Sequence, residues 1–501
     1  MKDIQIGNLT ITPNLKNQIK NIHPAIGVVE DTAYIGVWLP CHIQDEKGNK
    51  KYQEMLFLVT DKHEIILANN DSFRDNGKEW KLACKPIQFE NRWTLQHVQD
   101  YLNGATADPI ELFDCLHTAW KRFIEFTNET EYIYQTIWGI GTYFHHLFNS
   151  YPYNYFGGIK RAGKTKSLNV HHQTAFNAIH SSNMSPASIY RLIQNARTTL
   201  LIDETEKLSY KGNNISERTH EIRTILLSGY KKGAVVYRIE KNSKDRLVPL
   251  PFDTYGPKCL ANIRGLEDVM EDRCKPTIIK RSKNKEVINL AVDSEKEEKW
   301  ESIRNKLYLF YLIYWKQIKD IYEKINDLND INKIFKICEG CEHNEHKTEK
   351  CALKDIDLVV GRQLELWKPI LVFSIFWDTS YITKLSSLSS LTSLSNIKNA
   401  EKFSTCSLIR SLRSHECSQF LTFEMVKYAI EDAKQRRAEN AAETGESILV
   451  QVLLSLVEAE NFYHVSSMKS AMESRYDEEQ KWITSRWIGA ALRRLGFKEK
   501  K

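Results

Sequence analysis

In the stretch YFGGIKRAGKTKSLNV, residues 155–170, four residues separate Gly158 from the triplet Gly163-Lys164-Thr165. Glycines at this spacing let backbone N–H groups wrap a phosphate chain, while the lysine reaches its β and γ oxygens and the threonine hydroxyl meets a magnesium ion. The flanks suit that chemistry. Tyr153 to Phe156 reads as a strand end and Thr165 to Phe176 as a helix start, so phosphate would face a helix N-terminus with Lys166 in its first turn. The expected ligands are ATP and Mg²⁺. Further on, Thr199-Leu200-Leu201-Ile202 is an apolar run that delivers Asp203 and Glu204. The first carboxylate would join Thr165 in holding Mg²⁺, and the second would orient and polarise the attacking water that hydrolysis needs.

A second set of residues suits a different metal. Cys338, Cys341, His346 and Cys351 carry thiolates and an imidazole at separations that can close a tetrahedron around Zn²⁺ in a loop too short for its own core. His343 is the rival fourth ligand, and the expectation is a structural zinc.

Basic residues point to DNA as partner. Residues 233–252, GAVVYRIEKNSKDRLVPLPF, form two strand-like runs joined by Glu240 to Asp245. Lys241, Lys244 and Arg246 on that hairpin would contact single-strand phosphates without reading sequence; a solvated tip is the equal alternative. In the tail, Thr484 or Ser485 caps a helix from Arg486 to Leu495 that also carries Arg493 and Arg494. Helices over Ile448 to Glu458 and Ser466 to Glu473 would complete a winged-helix or helix-turn-helix bundle for duplex DNA.

These residues need a scaffold, and the 501-residue chain is long enough for several cores. Residues 1–92 alternate apolar and polar in short runs, a β-rich domain; residues 93–150 carry apolar positions at helical spacing and lead into the phosphate loop. Strands alternating with helices over 151–295 predict a parallel α/β core. Residues 296–383 read as helical with the Cys/His insert at 338–351. Residues 384–399 repeat leucine every third position in a serine background, which fits neither helix nor strand and reads as a linker. Residues 400–501 are again helical. The net charge of +6, with 42% hydrophobic and 27% charged residues, permits nucleic-acid binding without demanding it. The N-terminus lacks a signal-peptide apolar core, and the longest apolar run, Leu307 to Trp315, is far short of the roughly 20 residues of a membrane span. The expected location is cytoplasmic, where ten scattered cysteines are thiols or metal ligands.

From about Gly141 to Arg281 the chain resembles the AAA+ helicase-like ATPase domain of phage, plasmid and archaeal mobile-element replication proteins, of the superfamily 3 or primase-helicase-associated kind. GTYFHHLFNSYPY, the phosphate loop, SPASIYRLI, TLLIDETEKL, LLSGYKKGAVVYRIE and GPKCLANIRGLEDVMEDR carry the resemblance. It implies that Asn262, after an apolar strand, holds the water against the γ-phosphate. It also implies that Arg273 is a finger reaching a neighbouring subunit's γ-phosphate in a hexameric ring, with Arg264 and Arg281 as alternates. GRQLELWKPIL, residues 361–371, resembles the family's helical lid and suggests Arg362 as a second sensor; WITSRWIGAALRRLGF, residues 482–497, resembles its C-terminal segment. In related helicases the hairpin before the sensor strand points into the ring channel. The implied function is an ATP-driven DNA helicase or translocase in replication of a mobile element. An ATP-switched initiator or loader, or a partner-sensing defence-type ATPase, would use the same residues. Residues 1–92 show no paired acidic strand motif of a primase site, so priming is not implied.

Overall fold

The structure is a computed structural model. It describes residues 4–6, 9–11, 19–44, 50–68, 73–75, 78–88, 92–205, 216–241, 245–263, 266, 268–325, 356–391, 420–443, 449–450, 452–453, 464–474 and the single positions 485, 488, 489 and 492. The fold is mixed α/β, with one parallel sheet and several smaller sheets.

The N-terminal strands are β1 (Ile4–Ile6), β2 (Leu9–Ile11), β3 (Ile19–Ile22), β4 (Ile26–Val29), β5 (Thr32–Gln44), β6 (Lys50–Thr60), β7 (Ile65–Leu67), β8 (Phe73–Asp75) and β9 (Lys78–Leu82). β4 to β7 form an antiparallel meander and β3-β9-β8 a second sheet. Alternation explains the pairing: Tyr34, Leu56, Leu58, Trp80 and Leu82 bury one set of faces in a shared core.

Three helices lead to the phosphate loop: α1 (Leu95–Leu102), α2 (Pro109–Phe123) and α3 (Glu129–Gly141). The side chains of Thr94, Asp108 and Asn128 cap their first turns, and Pro109 sits where its missing N–H costs nothing. Next come β10 (Tyr153–Gly157), α4 (Lys164–Thr174), β11 (Ile179–Ser181), α5 (Pro186–Ala196), β12 (Leu200–Ile202), α6 (Glu217–Ser228), β13 (Val235–Lys241), β14 (Leu247–Asp253), β15 (Lys258–Ala261), α7 (Asp268–Glu271) and β16 (Cys274–Ile278). β10, β12 and β15 are buried along their length, as strands covered on both faces must be, and the sheet order is β11-β12-β15-β10-β16 with every pairing parallel. β13 and β14 form a separate antiparallel hairpin.

The remaining helices are α8 (Lys285–Asn289), α9 (Glu297–Lys324), α10 (Arg362–Leu391), α11 (Phe420–Glu443) and α12 (Val465–Glu473). α10 extends into the segment read as a linker, as helix as far as Leu391, while residues 392–399 of that segment lie outside the described residues. Once a helix is nucleated upstream, each added residue gains a hydrogen bond at little cost, so a run of weak formers can follow it. Two compact units result, one of residues 1–354 with 360–426 and one of 355–359 with 427–501. The β-rich N-terminal region is thus part of the same unit as the parallel sheet. His23 binds the Gln194 carbonyl at 3.0 Å, Tyr311 donates to the Gly27 carbonyl at 2.9 Å, and the Arg197 guanidinium donates to the Ile26 carbonyl. The second unit has its own core of Leu449, Val452, Leu453, Met468, Met472 and Ile488. Among the described residues no helix is long and apolar enough to cross a membrane.

Candidate nucleotide site

β10 ends at Gly157, and the backbone then turns through conformations that side chains resist. Gly158 has φ +140°, and a Cβ there would lie 2.3 Å from the Ile279 carbonyl oxygen, so only glycine fits. Arg161 follows at φ 64° and Gly163 at φ +110°, the N-cap of α4. No side chain caps α4, which leaves its first-turn N–H groups facing the loop interior, the arrangement that binds phosphate. Lys164 is buried and folds back over the same space, its Nζ donating to the carbonyls of Gly158 at 2.8 Å and Ile159 at 3.0 Å.

The parallel pairing of β12 with β15, and of β15 with β10, brings the acidic pair to this loop. Thr165 Oγ1 donates to Asp203 Oδ2 at 2.7 Å. A hydroxyl and a carboxylate held together are hard oxygen donors of the kind that Mg²⁺ takes alongside phosphate oxygens, so the residues fit that ion. Glu204 stands at φ 55°, a left-handed conformation uncommon for glutamate, with its N–H donated to Asp203 Oδ1 at 2.8 Å. Asn262, at the end of β15, is buried and accepts from the Tyr155 hydroxyl at 2.5 Å. Its backbone N–H reaches the Phe156 carbonyl at 3.3 Å. Lys164, Thr165, Asp203, Glu204 and Asn262 therefore cluster at one end of the sheet. Two neighbours escaped sequence reasoning. Tyr155 read only as strand, and His180 on β11 lies 4.0 Å from Asp203, its imidazole shifted down by burial against the opposing pull of that carboxylate.

Other predicted residues stand elsewhere. The Lys166 ammonium turns from the loop to the Val287 carbonyl at 2.7 Å, and burial lowers its pKa. Arg281 donates to the Lys160 carbonyl at 3.1 and 3.0 Å, which ties it to the phosphate loop of its own chain. Arg273 lies at the opposite end of the sheet: its carbonyl accepts from Tyr153 N, the first residue of β10, about 13 Å of strand away from Gly157. Its Nε donates to the Leu227 carbonyl at 2.8 Å, and its guanidinium carbon stands 5.3 Å from the Tyr230 ring centroid. Arg362 is paired with Asp272, with its guanidinium carbon 5.7 Å from the same ring centroid. Arg362 thus sits beside Arg273 rather than at its own chain's phosphate loop, because the ion pair with Asp272 fixes the start of α10 at the far end of β16.

On the β13–β14 hairpin, Lys241 pairs with Asp245 at 2.8 Å and Arg246 is exposed. Tyr237, Ile239 and Leu247 expose apolar surface on it. Lys244, Arg264, Arg486, Arg493 and Arg494 lie outside the described residues, as do Cys338, Cys341, His343, His346 and Cys351. Among the described residues no three His, Cys, Asp or Glu side chains gather to hold a metal.

No protein-family model matches the chain. No curated protein matches it either. Among solved structures, the apo C-terminal region of NrS-1 aligns at 10% identity and a TM-score of 0.26, covering 61% of this chain and 72% of that one. The Cch active helicase of SCCmec type IV aligns at 9% identity and a TM-score of 0.34, covering 94% of this chain and 90% of that one. Likeness at these values carries no functional argument, which rests instead on the site.

Proposed function

We propose that this chain is an ATP-hydrolysing DNA motor, a helicase or translocase serving replication of a mobile element, that works as a hexameric ring. The observation that carries the ATPase reading is the 2.7 Å contact between Thr165 and Asp203, which joins the phosphate loop to the acidic strand end. Gly158, Gly163 and the first turn of α4 hold the phosphates, with Lys164 exchanging its carbonyl partners for β and γ oxygens. Thr165 and Asp203 would hold Mg²⁺, which when bound neutralises the charge shared by those oxygens. Glu204 positions a water in line with the γ-phosphate and accepts its proton as the bond to the β,γ-bridging oxygen breaks. Asn262, fixed by Tyr155, holds that water from the other side. The products are ADP and phosphate.

Arg273 cannot reach this cradle from the opposite end of its own sheet, which favours action on a neighbour's nucleotide and hence the ring. Arg362 belongs to the same surface. DNA contact is assigned to the hairpin through Lys241, Lys244 and Arg246, and to the tail through Arg486, Arg493 and Arg494. The Cys338, Cys341, His346 and Cys351 set would hold zinc.

The test is steady-state ATP hydrolysis by wild type and Lys164→Ala, with and without single- or double-stranded DNA, at two salt concentrations. The expected result is several-fold stimulation by DNA, weakened by salt and absent in the variant. Hydrolysis that survives Lys164→Ala would remove the phosphate-loop assignment; robust hydrolysis indifferent to DNA would remove the motor and leave a partner-sensing switch.

A further inference from the structure

The loops that follow β10 and β16 leave the same end of the sheet side by side. Gly157 pairs with Ile278 where the two strands end, Ile279 N donates to the Gly157 carbonyl at 2.8 Å, and the Arg281 guanidinium donates to the Lys160 carbonyl at 3.1 and 3.0 Å. α8 is fixed to the same place, because the Lys166 ammonium at the start of α4 holds the Val287 carbonyl at 2.7 Å. Two stretches remote in sequence, residues 158–163 and 278–286, are thereby joined into one surface.

That surface is cationic. Lys160, Arg161, Lys280, Arg281, Lys283 and Lys285 are all exposed, and Glu286 is the single carboxylate in the two stretches. The chain as a whole has 70 cations and 64 carboxylates, so an even spread would supply nearly as many of one as of the other. Among the described residues none of these six cations is ion-paired, and the carbonyl partner of Arg281 leaves its charge in place. Of the carboxylates nearby, Glu125 accepts from Ser282 and Glu129 is engaged by Lys121 at 2.5 Å. Like charges gathered without partners repel one another, so folding gains nothing from the arrangement, and a bound polyanion would offset it.

We propose that this surface holds the sugar-phosphate backbone of duplex DNA, a contact additional to the hairpin and the tail; the inference rests on the DNA reading and not on the ATPase. A group of clustered cations is the electrostatic footprint of nucleic acid. Neither stretch contains Phe, Tyr, Trp or His, so there is no ring on which an unpaired base could stack, and phosphate is what remains to be bound. Duplex DNA presents it most densely, about one charge per 1.7 Å of axis. A second copy of this chain, which the exposed Ile159 and Ile278 could also touch, fits the charges less well. At the opposite end of the sheet Asp272 is already paired with Arg362 and Glu365 with Lys231, so those carboxylates would have to exchange partners to meet the lysines. Backbone contacts of this kind position DNA without reading its sequence.

The test is fluorescence anisotropy of the full-length chain with a short labelled DNA duplex, without nucleotide, over a series of salt concentrations. Lys280→Gln, Lys283→Gln and Lys285→Gln combined should weaken duplex binding at least tenfold at low salt. The slope of log affinity against log salt should become shallower by about 2 to 3, since each phosphate contact contributes about 0.9. Arginine at the same three positions should keep both affinity and slope, and a thermal midpoint within a few degrees of wild type reports an intact fold. Wild-type affinity and slope in the glutamine variant would overturn this surface and leave DNA to the hairpin and the tail. So would a loss confined to self-association, read by sedimentation, or to ATP binding, because the charges would then serve a second copy or the nucleotide. A wild-type chain that binds no duplex even at low salt would bring down the DNA reading and this surface together.

Discussion

Asn262 is held by the hydroxyl of Tyr155, 2.5 Å away and contributed by the strand that ends in the phosphate loop. Any movement of that loop is thus transmitted to the side chain opposite it, and Tyr155→Phe removes the link while keeping the ring that fills the core. Its expected effect is about a tenfold fall in kcat with KM within about twofold, since the bond orients a group that matters during bond breaking rather than in binding ATP. Steady-state kinetics checks the split, and a thermal midpoint within a few degrees of wild type would exclude simple unfolding. At this scale the sequence was readable where chemistry is local. Gly158, Gly163, Lys164 and Thr165 lie within one loop, and their spacing alone predicts the left-handed glycines and the uncapped helix start found there. Tyr155 and His180 were invisible because their roles come from strands that neighbour only in space. The partners of Lys166 and Arg362 were hidden for the same reason, their charges being directed by the Val287 carbonyl and by Asp272, distant in sequence.

Elements follow the same division. Asp108-Pro109 and Ser185-Pro186 cap and start α2 and α5, signals that act on the helix they begin and so lie within one short stretch of sequence. The continuation of α10 to Leu391 had no such signal. α10 also supplies a cap to another helix. Buried Asp378 accepts from Leu421 N at 3.1 Å, Thr422 N at 2.8 Å and the Thr422 hydroxyl at 2.6 Å, at the start of α11. Burial raises its pKa to about 6 from an ordinary 3.8, against the lowering effect of those donors. With the folded value raised, the folded chain binds the proton first as pH falls, so this group's contribution to stability is complete below about pH 4 and is lost as pH rises through 6. Relative to Asp378→Asn, wild type should therefore gain roughly 2 kcal/mol between pH 7 and pH 4. Urea unfolding at the two pH values measures it, and parallel behaviour of the two proteins would mean that Asp378 does not titrate in this range.

For the whole molecule, the informative feature is polarity. The cradle residues stand at one end of the parallel sheet, while Arg273, Arg362 and Tyr230 stand at the other. If the proposed nucleotide binds at the first end and the arginines of the second serve a neighbouring copy, repetition of that contact would join copies head to tail and close into a ring where the rotation allows. Sequence alone could nominate Arg273 only by resemblance, because its distance from the cradle is a property of strand register, Tyr153 pairing with Cys274 and Gly157 with Ile278. The arrangement makes a complementation experiment decisive. Arg273→Gln keeps an intact cradle but lacks the arginine, and Lys164→Ala keeps the arginine but lacks the cradle. Each alone should hydrolyse ATP at least a hundredfold more slowly than wild type, in keeping with the range measured for arginine fingers. Mixed in equal amounts they place wild-type Arg273 against wild-type Lys164 at about a quarter of random interfaces, so activity should return to a measurable fraction of wild type and rise with total concentration. Absence of any recovery, with both variants folded and able to mix, would mean that Arg273 serves its own subunit through Leu227 and Tyr230 and that the ring must be argued on other grounds.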